Sequence, residues 1–131
     1  MDLEKGTGII WVKSDHPFSD TVAKLEATIA SRGLTIFARI DFSGDAGKLG
    51  LSMHPTLLVI FGSPRAGTPV LIAATTSALD LPLKVVVSED DAGVVWLLYN
   101  SPEYLRDRHG IPPDLVKNIG GPADLVESVR K

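Results

Sequence analysis

The chain has 131 residues, of which 44% are hydrophobic and 22% charged, a composition typical of one soluble globular domain with its own core. The formal net charge is −3, so no excess of positive charge favours nucleic acid or an anionic membrane as a partner. Cysteine is absent, which excludes disulfides, thiolate catalysis and Cys-ligated metals. No signal-peptide pattern and no apolar run of about 20 residues is found. We therefore expect a single cytoplasmic domain over residues 1–131.

The first third of the chain predicts a strand, a helix and a second strand. Residues 8–13 are rich in β-branched and aromatic side chains and favour a strand. Apolar side chains at helical spacing then predict a helix with Ser19 as its N-cap and Gly33 at its C-terminal end. Residues 34–41 alternate and predict the second strand.

The middle of the chain predicts a loop, a buried strand and a helix. Residues 43–47 are rich in glycine and predict a loop that could run into one short helical turn. Residues 56–61 form an apolar run that suits a strand buried on both sides. Thr68 as N-cap and Pro69 at the first helical position predict a helix over residues 70–78.

The last third predicts a hairpin followed by helices. Strands are expected at residues 83–89 and 94–99, joined by a turn that contains Gly93. Ser101 is the expected N-cap of a helix that ends at Gly110, and two shorter helices follow. Because a hairpin is followed by helices toward the end of the chain, the order favours an α+β fold over a doubly wound sheet.

Several segments resemble the domain-of-unknown-function family 302 (DUF302), in order and with similar spacing. They are Arg32–Asp41, Leu57–Pro69, Asp80–Lys84, Trp96–Asn100 and Tyr104–Gly110.

This resemblance implies a small α+β domain whose antiparallel sheet carries helices mainly on one face, in outline similar to the TATA-box-binding-protein-like fold. It also implies a homodimer, and it implies no established activity or cofactor. The fold likeness does not by itself bring DNA binding with it. The family often has His after the Arg-x-Asp segment, where this chain has Phe42, so no role of that histidine applies here.

Strand alternation predicts a mixed second face of the sheet. If Leu34, Ile36, Ala38 and Ile40 pack under the helices, the opposite face presents Phe37, Arg39 and Asp41, together with Trp11, Lys84 and Tyr99. A large, partly apolar face of this kind usually meets a twin subunit or a ligand. Coverage by the C-terminal helices is the other alternative.

The candidate polar cluster of this face consists of Arg39, Asp41, Lys84, Tyr99 and Asn100. The guanidinium and the lysine ammonium could hold a carboxylate or a phosphate. Alternatively, Arg39 or Lys84 pairs with Asp41, and Asn100 closes a turn, in which case the cluster is structural.

The glycine- and proline-rich segment Phe61–Pro69 could bind an anion through free amides, with Arg65 and Thr68 as candidate contacts. It matches neither the dinucleotide fingerprint nor the P-loop spacing, and a rigid strand-to-helix turn is the alternative. The histidines His16, His54 and His109 are far apart in sequence and resemble neutral surface side chains, so we predict no metal site.

Three functional hypotheses remain open from the sequence. The first is a homodimeric domain that binds a small ligand, with anions among the candidates, or a protein partner, without catalysis and without a cofactor. The second is a cofactor-free enzyme that uses Arg39, Asp41 and Tyr99 in a cleft between sheet and helices. The third is a structural dimerisation module. Neither nucleic acid nor membrane is an expected partner.

Overall fold

A computed structural model describes residues 2–4 and 6–131. The strands are Asp2–Glu4 (β1), Ile9–Lys13 (β2), Thr35–Asp41 (β3), Thr56–Gly62 (β4), Leu83–Glu89 (β5) and Val95–Asn100 (β6). The α-helices are Phe18–Ser31 (α1), Phe42–Lys48 (α2), Pro64–Ala73 (α3), Pro102–His109 (α4) and Gly121–Val129 (α5). Two 3₁₀ segments span Thr75–Leu79 and Pro113–Ile119.

The strands form one antiparallel sheet in the order β1-β2-β6-β5-β4-β3. Helices α1 and α5 pack against each other and against the middle of the sheet. The predicted α+β class, with helices on one face, is therefore confirmed. Strand β1 was not predicted, because its three residues are polar at both ends.

The core lies between the sheet and helices α1 and α5. The three helical positions Val22, Leu25 and Ile29 are buried there, as their spacing predicts. Alternate residues of the strands face them, such as Val85 and Leu97, which are fully buried. The same alternation turns the neighbouring strand residues to the other side of the sheet.

We call this other side the open face. Its central row runs across five strands through side chains paired in register: Trp11, Leu98, Val86, Leu58 and Ile40. None of these five side chains belongs to either buried core cluster, and each keeps part of its surface exposed. The C-terminal helix α5 packs on the opposite side, so it does not cover the open face.

A β-bulge in β3 reverses part of the predicted face assignment. Ile36 lies opposite Phe61 and Ala38 lies opposite Ile60, so Phe37 is an extra residue in the strand. Beyond the bulge, Arg39 pairs with buried Val59 on the helix side.

The expectation that Ala38 and Ile40 pack under the helices, and that Arg39 and Asp41 face away from them, is therefore wrong. The prediction holds for Leu34, which packs against the main core. Trp11 and Lys84 do lie on the open face, whereas Tyr99 lies opposite Ile10 on the helix side.

Several predicted helix ends are confirmed. Ser101 Oγ accepts a hydrogen bond of 3.2 Å from the amide of Tyr104 and so caps α4, and Gly110 ends that helix in the left-handed conformation. Gly33 follows α1 with a φ of +71°. Helix α1, however, begins at Phe18 with Pro17 at the N-cap position, so Ser19 lies inside the helix.

Two predictions in the middle of the chain are wrong. Residues 43–47 belong to helix α2, because the Asp41 carboxylate caps it by accepting from the amide of Gly44 at 2.9 Å. Helix α3 begins at Pro64 rather than at Pro69, with Ser63 at the N-cap position. Thr68 is consequently a residue of the helix and not its cap.

Candidate functional site

A cavity of about 280 Å³ opens where β4 leads into α3. We call it the turn cavity. Its lining comes from Phe37 in the β3 bulge, from residues between Gly62 and Leu71, from Ala78 together with Leu81–Leu83, and from the pair Asn118 and Ile119. Four separate segments of the chain therefore converge on one space.

The local sequence explains why helix α3 starts at the cavity. Pro64 occupies the first helical position, where its missing N–H is not needed. The carbonyl oxygen of Ser63 accepts the amide of Gly67 at 2.9 Å, while the Ser63 hydroxyl makes no capping bond. Asn118 then donates its side-chain amide to the carbonyl oxygen of Ala66 at 3.0 Å. This bond ties the second 3₁₀ segment to the first turn of α3.

The wall of the turn cavity is mainly apolar. Among its lining side chains, Ser63, Thr68 and Asn118 carry hydrogen-bonding groups, and none of the lining residues is charged. Of the two residues predicted for this turn, Thr68 lies at the cavity, whereas Arg65 is exposed and does not line it. The space suits a small apolar body with one hydrogen-bonding end.

The predicted polar cluster does not form one site. Arg39 Nε donates to a carboxylate oxygen of Glu26 on α1 at 2.5 Å. Asp41 caps α2 instead of pairing with a lysine, and the Gly44 amide, followed by the Ser43 hydroxyl, lowers the pKa of Asp41. β6, which carries Tyr99, is three strands away from β3, or about 14 Å at the usual strand spacing.

Lys84 and Asn100 are the two members of the cluster that share the open face. Extending the β5–β6 register by two residues beyond the pair Val86 and Leu98 places Lys84 opposite Asn100. The ammonium of Lys84 donates to the carbonyl oxygens of Asp80 at 3.1 Å and Pro82 at 2.9 Å. Burial lowers the pKa of Lys84, and the Asp80 carboxylate opposes that shift.

The buried imidazole of His109 is the centre of a polar network that the sequence did not reveal. Its imidazole is only 2% exposed, with Nε2 at 2.5 Å from the Asp80 carboxylate and Nδ1 at 2.9 Å from the Thr76 hydroxyl. Arg108 also donates to Asp80, at 2.9 Å. The expectation of a surface histidine is therefore wrong for His109.

The network has the order hydroxyl, imidazole, carboxylate. An ionised carboxylate only accepts hydrogen bonds, so Nε2 carries the proton toward Asp80 and a neutral ring accepts the Thr76 hydroxyl at Nδ1. No spacing signal could have shown it, because Asp80 and His109 are 29 positions apart and meet only through the packing of α4 on the first 3₁₀ segment.

The other two histidines lie elsewhere. His54 is exposed and pairs with Asp91 at 3.0 Å, and His16 lies near Lys24. Within residues 2–4 and 6–131, no group of three or more His, Cys, Asp or Glu side chains is arranged to hold a metal ion. None of the helices described is both long and apolar enough to cross a bilayer.

These observations define a small α+β domain with a six-stranded antiparallel sheet, a helical layer on one face and a ligand-sized cavity at one end. Residues 10–123 match the family model described as "Domain of unknown function DUF302", and the chain belongs to this family. An uncharacterised conserved DUF302 protein from Bacillus stearothermophilus, known from a crystal structure, has the same fold with a TM-score of 0.78. It is 17% identical, and the match covers 95% of this chain and 97% of that one.

Curated relatives are named as fluoride channels. "Fluoride-specific ion channel FluC 1" of Brucella suis biovar 1 (strain 1330) is 37% identical over 105 residues, which make up 80% of this chain and 41% of that protein. The protein of the same name from Brucella abortus biovar 1 (strain 9-941) is also 37% identical, with 39% of its length covered. The chain thus spans about two fifths of the length of these relatives.

Proposed function

We propose that this chain is a cytoplasmic, homodimeric domain that binds a small, mainly apolar molecule in the turn cavity. The cavity itself is the observation that carries the proposal. Its volume of about 280 Å³ is near the lower limit of about 300 Å³ for ordinary ligand pockets. Its lining comes from four segments that are each held by packing or by hydrogen bonds.

The lining favours one class of ligand. Apolar side chains such as Phe37, Leu71 and Leu83 would bury a hydrocarbon or aromatic body. Ser63, Thr68 and Asn118 would orient a single hydroxyl, carbonyl or carboxylate group. A bare inorganic anion is disfavoured, because no cation lines the space and an unpaired charge in an apolar wall is costly.

The binding of three probes tests this proposal. 1-Hexanol and hexanoate share a six-carbon chain and differ in charge, whereas inorganic phosphate is charged and has no carbon chain. We expect saturable amide chemical-shift changes at Gly62, Gly67 and Asn118 with the two six-carbon probes, and none with phosphate. Sodium fluoride is a fourth probe, because the curated relatives are named as fluoride channels. Only the six-carbon probes match the apolar wall, so fluoride is expected to give no saturable shift.

A pair of glycine variants provides the control. Gly67 lines the cavity, and a Cβ built on it meets no atom within 4 Å, so Gly67→Leu adds volume without a backbone clash. Gly47 on α2 has the same open surroundings and lies outside the cavity. Gly67→Leu should abolish probe binding and Gly47→Leu should preserve it. Equal binding by both variants, or tighter binding of phosphate than of hexanol, would overturn the proposal.

A second candidate function rests on the Thr76–His109–Asp80 network. In this candidate, Thr76 Oγ1 attacks an acyl carbon while its proton moves to His109 Nδ1, and the imidazolium returns that proton to the leaving group. Asp80 would orient the ring and stabilise its positive charge. This is a different set of residues from Arg39, Asp41 and Tyr99, which the fold keeps apart.

Covalent labelling tests this candidate. A fluorophosphonate probe should add one adduct mass at Thr76 in the wild-type chain and none in Thr76→Val. Labelling that persists in Thr76→Val, or that is absent from the wild-type chain at high probe concentration, would refute the candidate and leave the network with a purely structural role.

A further inference from the structure

The open face of the described chain is apolar along its centre. Its central row, Trp11, Leu98, Val86, Leu58 and Ile40, contains no charged or polar side chain apart from the indole N–H. The two tryptophan rings pack edge to face with centroids 5.9 Å apart. An antiparallel sheet that faces water on one side normally alternates to polar residues there. In this sheet the central row is apolar throughout, and polar side chains such as Lys13, Lys84 and Ser88 lie only in the rows on either side of it. The core residues fill the opposite side of the sheet.

The size of the open face is close to what a stable dimer needs. Six strands spaced about 4.8 Å apart, with about six residues each rising about 3.4 Å, make a face of about 600 Å². Two such faces packed together would bury about 1,200 Å², the lower end of standard-sized interfaces. Met53, which is 48% exposed, lies beside Thr56 and Ser88 near the ends of β4 and β5 and would extend the contact.

A second copy of this chain fits the face by geometry. Sheets that pack face to face keep their strands within about 30° of each other because both are twisted in the same sense, and two copies of one sheet have identical twist and extent. A two-fold axis between the two faces, perpendicular to the strands at the central row, would place each central row against the same row of the partner with the strands reversed.

We infer that the open face is the homodimer interface, in which the sheets of two copies stack through the central row with their strands reversed. This inference rests on the proposed homodimer and specifies its contact surface. It leaves the turn cavity free in each copy, because none of the five central-row residues lines the cavity.

Light scattering coupled to size exclusion, together with sedimentation equilibrium, tests the inference on the whole chain. Leu98→Lys places a charge at the centre of the row and should raise the dimer dissociation constant by about a hundredfold. Ile72→Lys is the matched control, since Ile72 is 80% exposed on α3 and away from the sheet, and it should leave the constant unchanged.

The wild-type chain provides a second measurement that needs no variant. Both tryptophans of the chain, Trp11 and Trp96, lie on the open face, so dilution to monomer should shift the emission to longer wavelength and increase acrylamide quenching. A dimer that persists in Leu98→Lys, with tryptophan emission independent of dilution, would overturn the interface and keep the homodimer. A wild-type chain that is monomeric at all concentrations would overturn both the interface and the homodimer. Probe binding in the turn cavity would be decided independently, by the titrations described above.

Discussion

Two adjacent valines of β5 offer a sharp test of which side of the sheet is the core. Val85 is fully buried in the core with side chains of α1 and α5, whereas Val86 lies on the open face. Val85→Ala removes two methyl groups from a packed site, and the lost transfer energy plus the cavity should cost about 2–3 kcal/mol. Val86→Ala removes the same atoms from a partly exposed position on the open face, so the folded monomer should lose about 1 kcal/mol or less.

Urea unfolding followed by far-ultraviolet circular dichroism measures both costs. At about 1 µM chain, the cost of Val85→Ala should exceed that of Val86→Ala, and it should not change with concentration. At about 100 µM, the cost of Val86→Ala should grow, because a dimer contact stabilises the folded state by mass action. Equal costs for the two variants at low concentration would refute the assignment of the faces and with it the core described above.

Three further outcomes follow from single side chains. Replacing the buried imidazole in His109→Ala should cost about 2–4 kcal/mol in urea unfolding, because it leaves a cavity and removes two hydrogen bonds; a cost under about 0.5 kcal/mol would contradict the network. The Trp96 N–H and then the Val94 amide lower the pKa of Asp90. The stability that this carboxylate contributes is therefore complete above the unfolded pKa of about 3.8 and is lost as the pH falls through the folded pKa. Asp90→Asn should accordingly flatten the acid limb of a plot of the unfolding midpoint against pH. Gly67→Ala should stabilise the chain by about 0.5–1 kcal/mol in thermal unfolding, since the residue is helical and its added Cβ meets no atom within 4 Å.

Elements with strong local signals could be predicted from the sequence. The N-cap at Ser101 and the left-handed Gly110 bound α4 as predicted, because a cap and a terminal glycine act within a few residues of the backbone they stabilise. The buried face of α1 also follows the spacing of its apolar residues, because residues three and four positions apart lie on the same face of a helix. Helix α3 was placed too late because the chain offers two cap-and-proline signals, at Ser63 and at Thr68, and local chemistry does not rank them.

The failures at β3 have a different physical cause. Strand alternation has a period of two, so one extra residue turns every later side chain to the opposite face. Nothing in the residues from Thr35 to Asp41 marks Phe37 as a bulge. The bulge became visible only through the pairing of β3 with β4. That single residue moved Arg39 to its partner on α1 and removed it from the proposed site.

The candidate site depended on contacts between distant parts of the chain. Thr68 was predicted at the turn and does line the cavity, but Asn118 arrives from a segment 50 positions later. The same holds for Asp80 and His109, whose pairing needs α4 to pack on the first 3₁₀ segment. A sequence pattern reports what a residue does to its own neighbours along the chain. It carries no signal for a cavity wall assembled from four segments.

The turn cavity and the open face nevertheless touch one another at the start of β5. Leu83 lines the cavity on the helix side, and the next residue, Lys84, lies on the open face with its ammonium held by carbonyl oxygens of residues 80 and 82. A ligand that displaced Leu83 would therefore move the backbone that carries Lys84. The central row crosses β5 only two residues further on, at Val86, where β4 and β6 pair with β5 on both sides. For this reason Leu98→Lys should change dimerisation without changing probe binding, whereas Lys84→Ala, at the shared position, is the variant expected to change both.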